Sequence, residues 1–109
     1  MTLPPRIQSE ADISRLIQLA ASGRGARLLR NNVGALKDDR GVHVRFGLCA
    51  GSSDLIGWTH DGRFLAVEIK LPGKHPTREQ ASFIEAVLAA GGRAGVARSV
   101  EDLERILEG

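Results

Sequence analysis

Asp54-Leu55-Ile56-Gly57-Trp58, then Thr59-His60-Asp61-Gly62, then Arg63-Phe64-Leu65-Ala66-Val67-Glu68-Ile69-Lys70 is the stretch that decides the fold. Two apolar runs flank a turn that ends in Asp-Gly, a dipeptide suited to the tight reversal of a β-hairpin. A strand sends alternate side chains to opposite faces, so Leu65, Val67 and Ile69 share one face and Phe64, Ala66, Glu68 and Lys70 the other. Folding the hairpin brings Asp54 across from the later part of the second strand, where Glu68 lies. A carboxylate and an ammonium on the same side of an apolar strand are costly to desolvate without partners.

One partner that suits them is a hard cation. Mg²⁺ takes oxygen ligands, commonly one or two carboxylates with water and substrate phosphate, so Asp54 and Glu68 make a minimal set with Lys70 beside it. The order Asp54, then Glu68-x-Lys70, resembles the PD-(D/E)xK nuclease signature, with Ser53 where that signature has proline. The longer string Arg30-Asn31-Asn32-Val33-Gly34, Arg45-Phe46-Gly47, Gly51-Ser52-Ser53-Asp54, Glu68-Ile69-Lys70 and Glu79-Gln80 resembles a stand-alone VRR-NUC domain from about Glu10 to the C-terminus. A bare D…ExK is weak as a motif, because any hairpin can carry it; the ordered set is more specific.

The resemblance implies an α/β, restriction-endonuclease-like mixed β-sheet flanked by helices. It further implies a DNA nuclease that uses Mg²⁺ or Mn²⁺, acts on branched DNA and works as a homodimer. Glu10, Asp54, Glu68, Lys70 and Gln80 are its catalytic candidates. Asp54, Glu68 and the backbone carbonyl of Ile69 are the metal candidates. The DNA-binding candidates are Arg30, Asn31, Asn32, Arg45, Ser52, Ser53, Lys74 and Arg78. Several have plainer readings: Glu10 as a first-turn acid favoured by the helix dipole, the asparagines as turn formers, and Gln80 as a capping residue. Two rival classes remain: a non-catalytic nucleic-acid-binding module, and a protein-interaction domain that gives Glu68 and Lys70 no reason to share a face.

The chain as a whole bounds these readings. Its 109 residues suffice for one core, and 42% hydrophobic with 26% charged residues is ordinary for a globular protein. No apolar run approaches the length of a membrane span and no signal-peptide core is present, so a cytoplasmic location without membrane contact is expected. The single Cys49 cannot form an internal disulfide, and three scattered histidines make no zinc spacing. A net charge of +2 hides a basic segment, Arg24, Arg27, Arg30, Lys37, Arg40 and Arg45 against Asp38 and Asp39, and an acidic C-terminal stretch. Such a segment beside a carboxylate site suits a polyphosphate substrate, although charge runs are commonly just solvated surface.

In chain order, residues 1–8 with Pro4-Pro5 read as an extended arm and 9–109 as a single domain. Ser9 caps a first helix with Ile13, Leu16, Ile17 and Ala20 inward, ended by Gly23 and Gly25. Residues 26–31 form a short strand, and Asn31 through Gly41 has the composition of a mobile loop. Residues 42–46 alternate as a further short strand, with Val42, Val44 and Phe46 inward. The glycine-bearing stretch Gly47–Ser53 lacks the Gly-Lys-Ser/Thr ending of a P-loop, which argues against a nucleotide cofactor. After the central hairpin, Thr77-Arg78-Glu79-Gln80 has capping-box form and opens a helix with Ala81, Ile84, Val87 and Leu88 buried. A strand at 93–98 and a helix capped by Ser99 complete the order α, β, (β), β, β, α, β, α. Trp58 is expected in the core.

Overall fold

The computed structural model describes residues 9–109, and the arm expected over 1–8 lies outside them. Helix α1 spans Glu10–Gly23, strands β1 to β5 span Arg27–Arg30, Gly34–Lys37, His43–Phe46, Leu55–Trp58 and Phe64–Ile69, α2 spans Arg78–Ala89, β6 Arg93–Ala97 and α3 Val100–Glu108. Four strands form one mixed sheet in the order β1-β4-β5-β6, with the first two pairings antiparallel and β5–β6 parallel. The β4–β5 turn closes as the sequence implies: Gly62 N–H donates to Thr59 O at 3.0 Å, and Gly62 has φ +83. Helix α2 connects the two parallel strands, as a parallel pairing requires.

Strand alternation then sorts the two sides. Leu28, Leu55, Leu65, Val67 and Ile69 pack with Ile13, Ile17 and Ala21 of α1 and Leu103 of α3 in one buried cluster. Ala66 and Ala94 on the other side meet Ile84 and Val87 of α2 in a smaller one. Caps fix where the helices start. Ser9 and Ser99 accept from the N–H groups of Asp12 and Asp102, and Thr77 with Gln80 forms a full capping box. The restriction-endonuclease-like mixed sheet flanked by helices is therefore present.

Four local expectations are corrected. Residues expected to be a mobile loop include β2, which pairs antiparallel with β3 in a separate two-stranded sheet. Val42, Val44 and Phe46 do not point inward: they are exposed, because no helix covers this hairpin among the described residues. Trp58 is half exposed rather than core, since α2 covers β5 and β6 but leaves Trp58, Phe64 and Leu29 at the edge of that face open. Leu88 of α2 is likewise exposed, the buried residues of that helix being Ile84 and Val87.

Candidate active site

The β4–β5 register pairs Leu55 with Val67, and continuing it by one residue sets Asp54 opposite Glu68. Asp54 is exposed at the end of the sheet, and its Oδ2 accepts a 2.8 Å hydrogen bond from the Ile69 N–H. The Ile69 main chain thus faces the Asp54 carboxylate. Glu68 is only 2% exposed, and Lys70 Nζ stands 3.7 Å from its Oε2. Its other oxygen, Oε1, is buried with no hydrogen-bond partner, as is Ser53 Oγ.

Electrostatics follow from that placement. Burial pushes the Glu68 carboxyl up from 4.5 to about 8, the hydrogen bond and charge of Asp54 add to the shift, and the Lys70 ammonium pulls the other way. Two acids against one amine leave the cluster short of positive charge when all are ionised. An orphaned buried carboxylate oxygen, an all-oxygen donor set and mutual repulsion are what a hard divalent cation would relieve, so the residues present fit Mg²⁺ or Mn²⁺.

Asp54 and Ile69 also line a cleft of about 380 Å³, together with Glu10, Ser14, Arg15 and Gln18 of α1, Arg30 at the end of β1 and Asn31 to Val33 after it. Glu10 is therefore on the same cleft as Asp54. Among the described residues, no three His, Cys, Asp or Glu side chains are grouped as a metal site, and Glu10 shares the cleft wall with Asp54. Sequence reading missed the rest of the α1 wall. Glu10, Ser14 and Gln18 recur every four residues beside the buried Ile13 and Ile17, and that polar stripe was a usable signal.

The DNA-binding candidates divide. Arg30 and Asn32 are exposed at the cleft, 3.4 Å apart, while Arg45, Lys74 and Arg78 are exposed elsewhere. Asn31 and Ser52 face inward instead. Asn31 Nδ2 donates to Ser52 Oγ at 2.8 Å and to Ser53 O at 2.9 Å, and its Oδ1 accepts from Leu48 N–H. Its backbone N–H donates to Asp54 O at 2.8 Å. Ser52 Oγ in turn accepts from Cys49 N–H and donates to Cys49 O, and Ser53 is wholly buried. The Asn31 and Ser52 side chains organise the loop that leads into Asp54. Gly51 lets that loop lie on α2: its φ is +80, and a Cβ there would come within 2.9 Å of the Glu79 backbone. Gln80 is half-buried in the same first turn, with Oε1 accepting from Thr77 N–H at 2.8 Å, so its carbonyl oxygen serves the cap.

A mixed sheet flanked by helices, with an acid at the end of one strand facing a Glu-x-Lys on the next, is a restriction-endonuclease-like arrangement. The VRR-NUC domain family model matches residues 9–101, and the chain belongs to that family. Comparison with curated protein sequences gives no match.

Proposed function

We propose that the protein is a divalent-metal-dependent endonuclease that hydrolyses DNA phosphodiester bonds. The observation that carries this reading is the pairing of Asp54 with a buried Glu68 whose Oε1 lacks a partner and whose carboxyl is pushed up to about 8. Asp54, Glu68 and the Ile69 carbonyl would hold Mg²⁺ or Mn²⁺. When bound, the ion supplies neutralisation of phosphoryl charge and a lowered pKa for water. Lys70, held beside Glu68, orients the attacking water and offsets charge in the phosphorane-like transition state. Arg30 at the cleft mouth grips a neighbouring phosphate, where its planar fork can bond two oxygens at once. Glu10 acts through water from the α1 wall, and any orienting role of Gln80 falls to its amide nitrogen.

Branched DNA, such as a four-way junction, is the preferred substrate, cut by a homodimer whose two-fold axis matches that of the junction. The uncovered Leu29, Trp58 and Phe64 are consistent with a protein neighbour on that face. The alternative, a binding module that retains the fold, is favoured by one observation: among the described residues no third acid is grouped with Asp54 and Glu68. The test incubates the purified protein with four-way junctions, flaps and supercoiled plasmid in Mg²⁺, Mn²⁺ or EDTA, beside the Lys70→Ala variant. Cutting that needs the divalent ion and Lys70 supports catalysis. DNA binding without cutting in any ion supports the alternative, and preferential cutting of linear duplex by a monomer removes the branched-DNA assignment.

A further inference from the structure

The β2–β3 hairpin has two unlike faces. Its register pairs Gly34 with Phe46, Ala35 with Arg45, Leu36 with Val44 and Lys37 with His43. Alternation therefore gathers Leu36, Val44 and Phe46 on one side, with the Phe46 ring lying over Gly34, where a Cβ would be 2.6 Å from it. Lys37, His43 and Arg45 occupy the other side, all exposed, with no acid among them. The acid nearest in sequence, Asp38, is turned into the hairpin tip. Its Oδ1 accepts from the N–H groups of Arg40 and Val42 at 2.8 and 2.9 Å, and its carboxyl is held below the usual range, first by the bond from Val42.

The hairpin is also rooted at the candidate active site. Gly47, with φ +88, closes its base so tightly that a Cβ would lie 2.4 Å from Asn32 O and 2.7 Å from Val33 Cα, and Leu48 N–H is bonded to Asn31. Asn31, Asn32 and Val33 line the cleft that contains Asp54. The arm thus leaves the rim of that cleft with Gly47 packed close against Asn32 and Val33.

We propose that this hairpin is a DNA-contacting arm whose Lys37–Arg45 face binds phosphates of the backbone flanking the bond to be cut. The proposal rests on the nuclease reading for the identity of the polyanion. Charge and position decide for DNA on this face: a duplex entering the cleft passes the arm, and each phosphate neutralised releases condensed counterions. The four paired residues of each strand span about 13 Å, so the arm reaches phosphates a few nucleotides beyond the cleft. The opposite face, with Leu36, Val44 and Phe46, suits a protein neighbour instead.

The experiment measures binding of a fluorescent duplex and a four-way junction in EDTA between 50 and 200 mM salt. It compares wild type, Lys37→Ala/Arg45→Ala, the charge-preserving Lys37→Arg/Arg45→Lys, and Arg105→Ala on α3 as a distant control. Losing two phosphate contacts should flatten the log–log salt slope by about 1.8, so that wild-type affinity falls roughly twelvefold more than that of the double alanine variant over this fourfold salt range. The charge-preserving pair and Arg105→Ala should keep the wild-type slope. An unchanged slope in a folded double alanine variant overturns the proposal. So does an unchanged slope with a Val44→Asp protein of altered sedimentation mass, which would make the hairpin a protein interface. Divalent-dependent cutting by wild type is scored separately: cutting with an unchanged slope removes the arm alone, whereas binding with the expected slope but no cutting removes the nuclease reading alone.

Discussion

Glu68→Gln should stabilise the metal-free protein at alkaline pH while abolishing cleavage. The Glu68 carboxyl is raised from 4.5 to about 8, so between those values the folded protein keeps a proton that the unfolded chain has released. Stability from this group is full below 4.5 and is lost as pH rises towards 8, with a slope approaching about 1.4 kcal/mol per pH unit. On the order of 3 kcal/mol would go between pH 5 and pH 8, or roughly 10 to 20 °C in Tm for a domain of this size. Glutamine keeps the shape and removes the titration, so thermal melts in EDTA should coincide at pH 5 and diverge by that amount at pH 8, with the variant higher. Adding Mn²⁺ should reverse the order, because only the wild-type acid gains from binding a cation. Parallel pH profiles in EDTA, or equal stabilisation of both proteins by Mn²⁺, would refute the claim that a buried, cation-seeking carboxylate lies at position 68.

Lys70→Ala should reduce cleavage at least about a hundredfold while DNA binding in EDTA stays within a few-fold, read by gel cleavage and anisotropy. Asn31→Ala removes three side-chain hydrogen bonds to the Leu48–Ser53 loop and should cost about 2 to 3 kcal/mol by denaturant titration, with faster proteolysis in that loop. Gly47→Ala meets both a positive φ and backbone atoms within 3 Å, so it should destabilise by more than about 1 kcal/mol and raise amide exchange across β2–β3. Thr77→Ala and Gln80→Ala should each cost about 1 kcal/mol through the shared cap; a cleavage defect in Gln80→Ala but not in Thr77→Ala would assign the Gln80 amide a second role.

Much of this architecture is local and so was legible in the sequence. Asp61-Gly62 demanded a tight turn, alternation sorted Leu65, Val67 and Ile69 from Ala66 and Glu68, and Ser9, Thr77 and Ser99 announced their helices through side chains that satisfy free N–H groups within three residues. The opposition of Asp54 and Glu68 follows from that turn, since a hairpin's register is set by its loop. What depends on distant neighbours was not legible. Gly34–Lys37 looks like a loop because no burial pattern marks it, and Trp58 looks like core because a lone strand cannot show that α2 stops short of it. Asn31 reads both as a turn former and as a substrate candidate, and only the fold brings Leu48 and Ser52 against its amide; Glu68 shows its orphaned oxygen only once the sheet has excluded water from it. Sequence specifies which groups can meet through short-range geometry; desolvation and long-range packing, which depend on the whole chain, decide which of them are left in need of a partner.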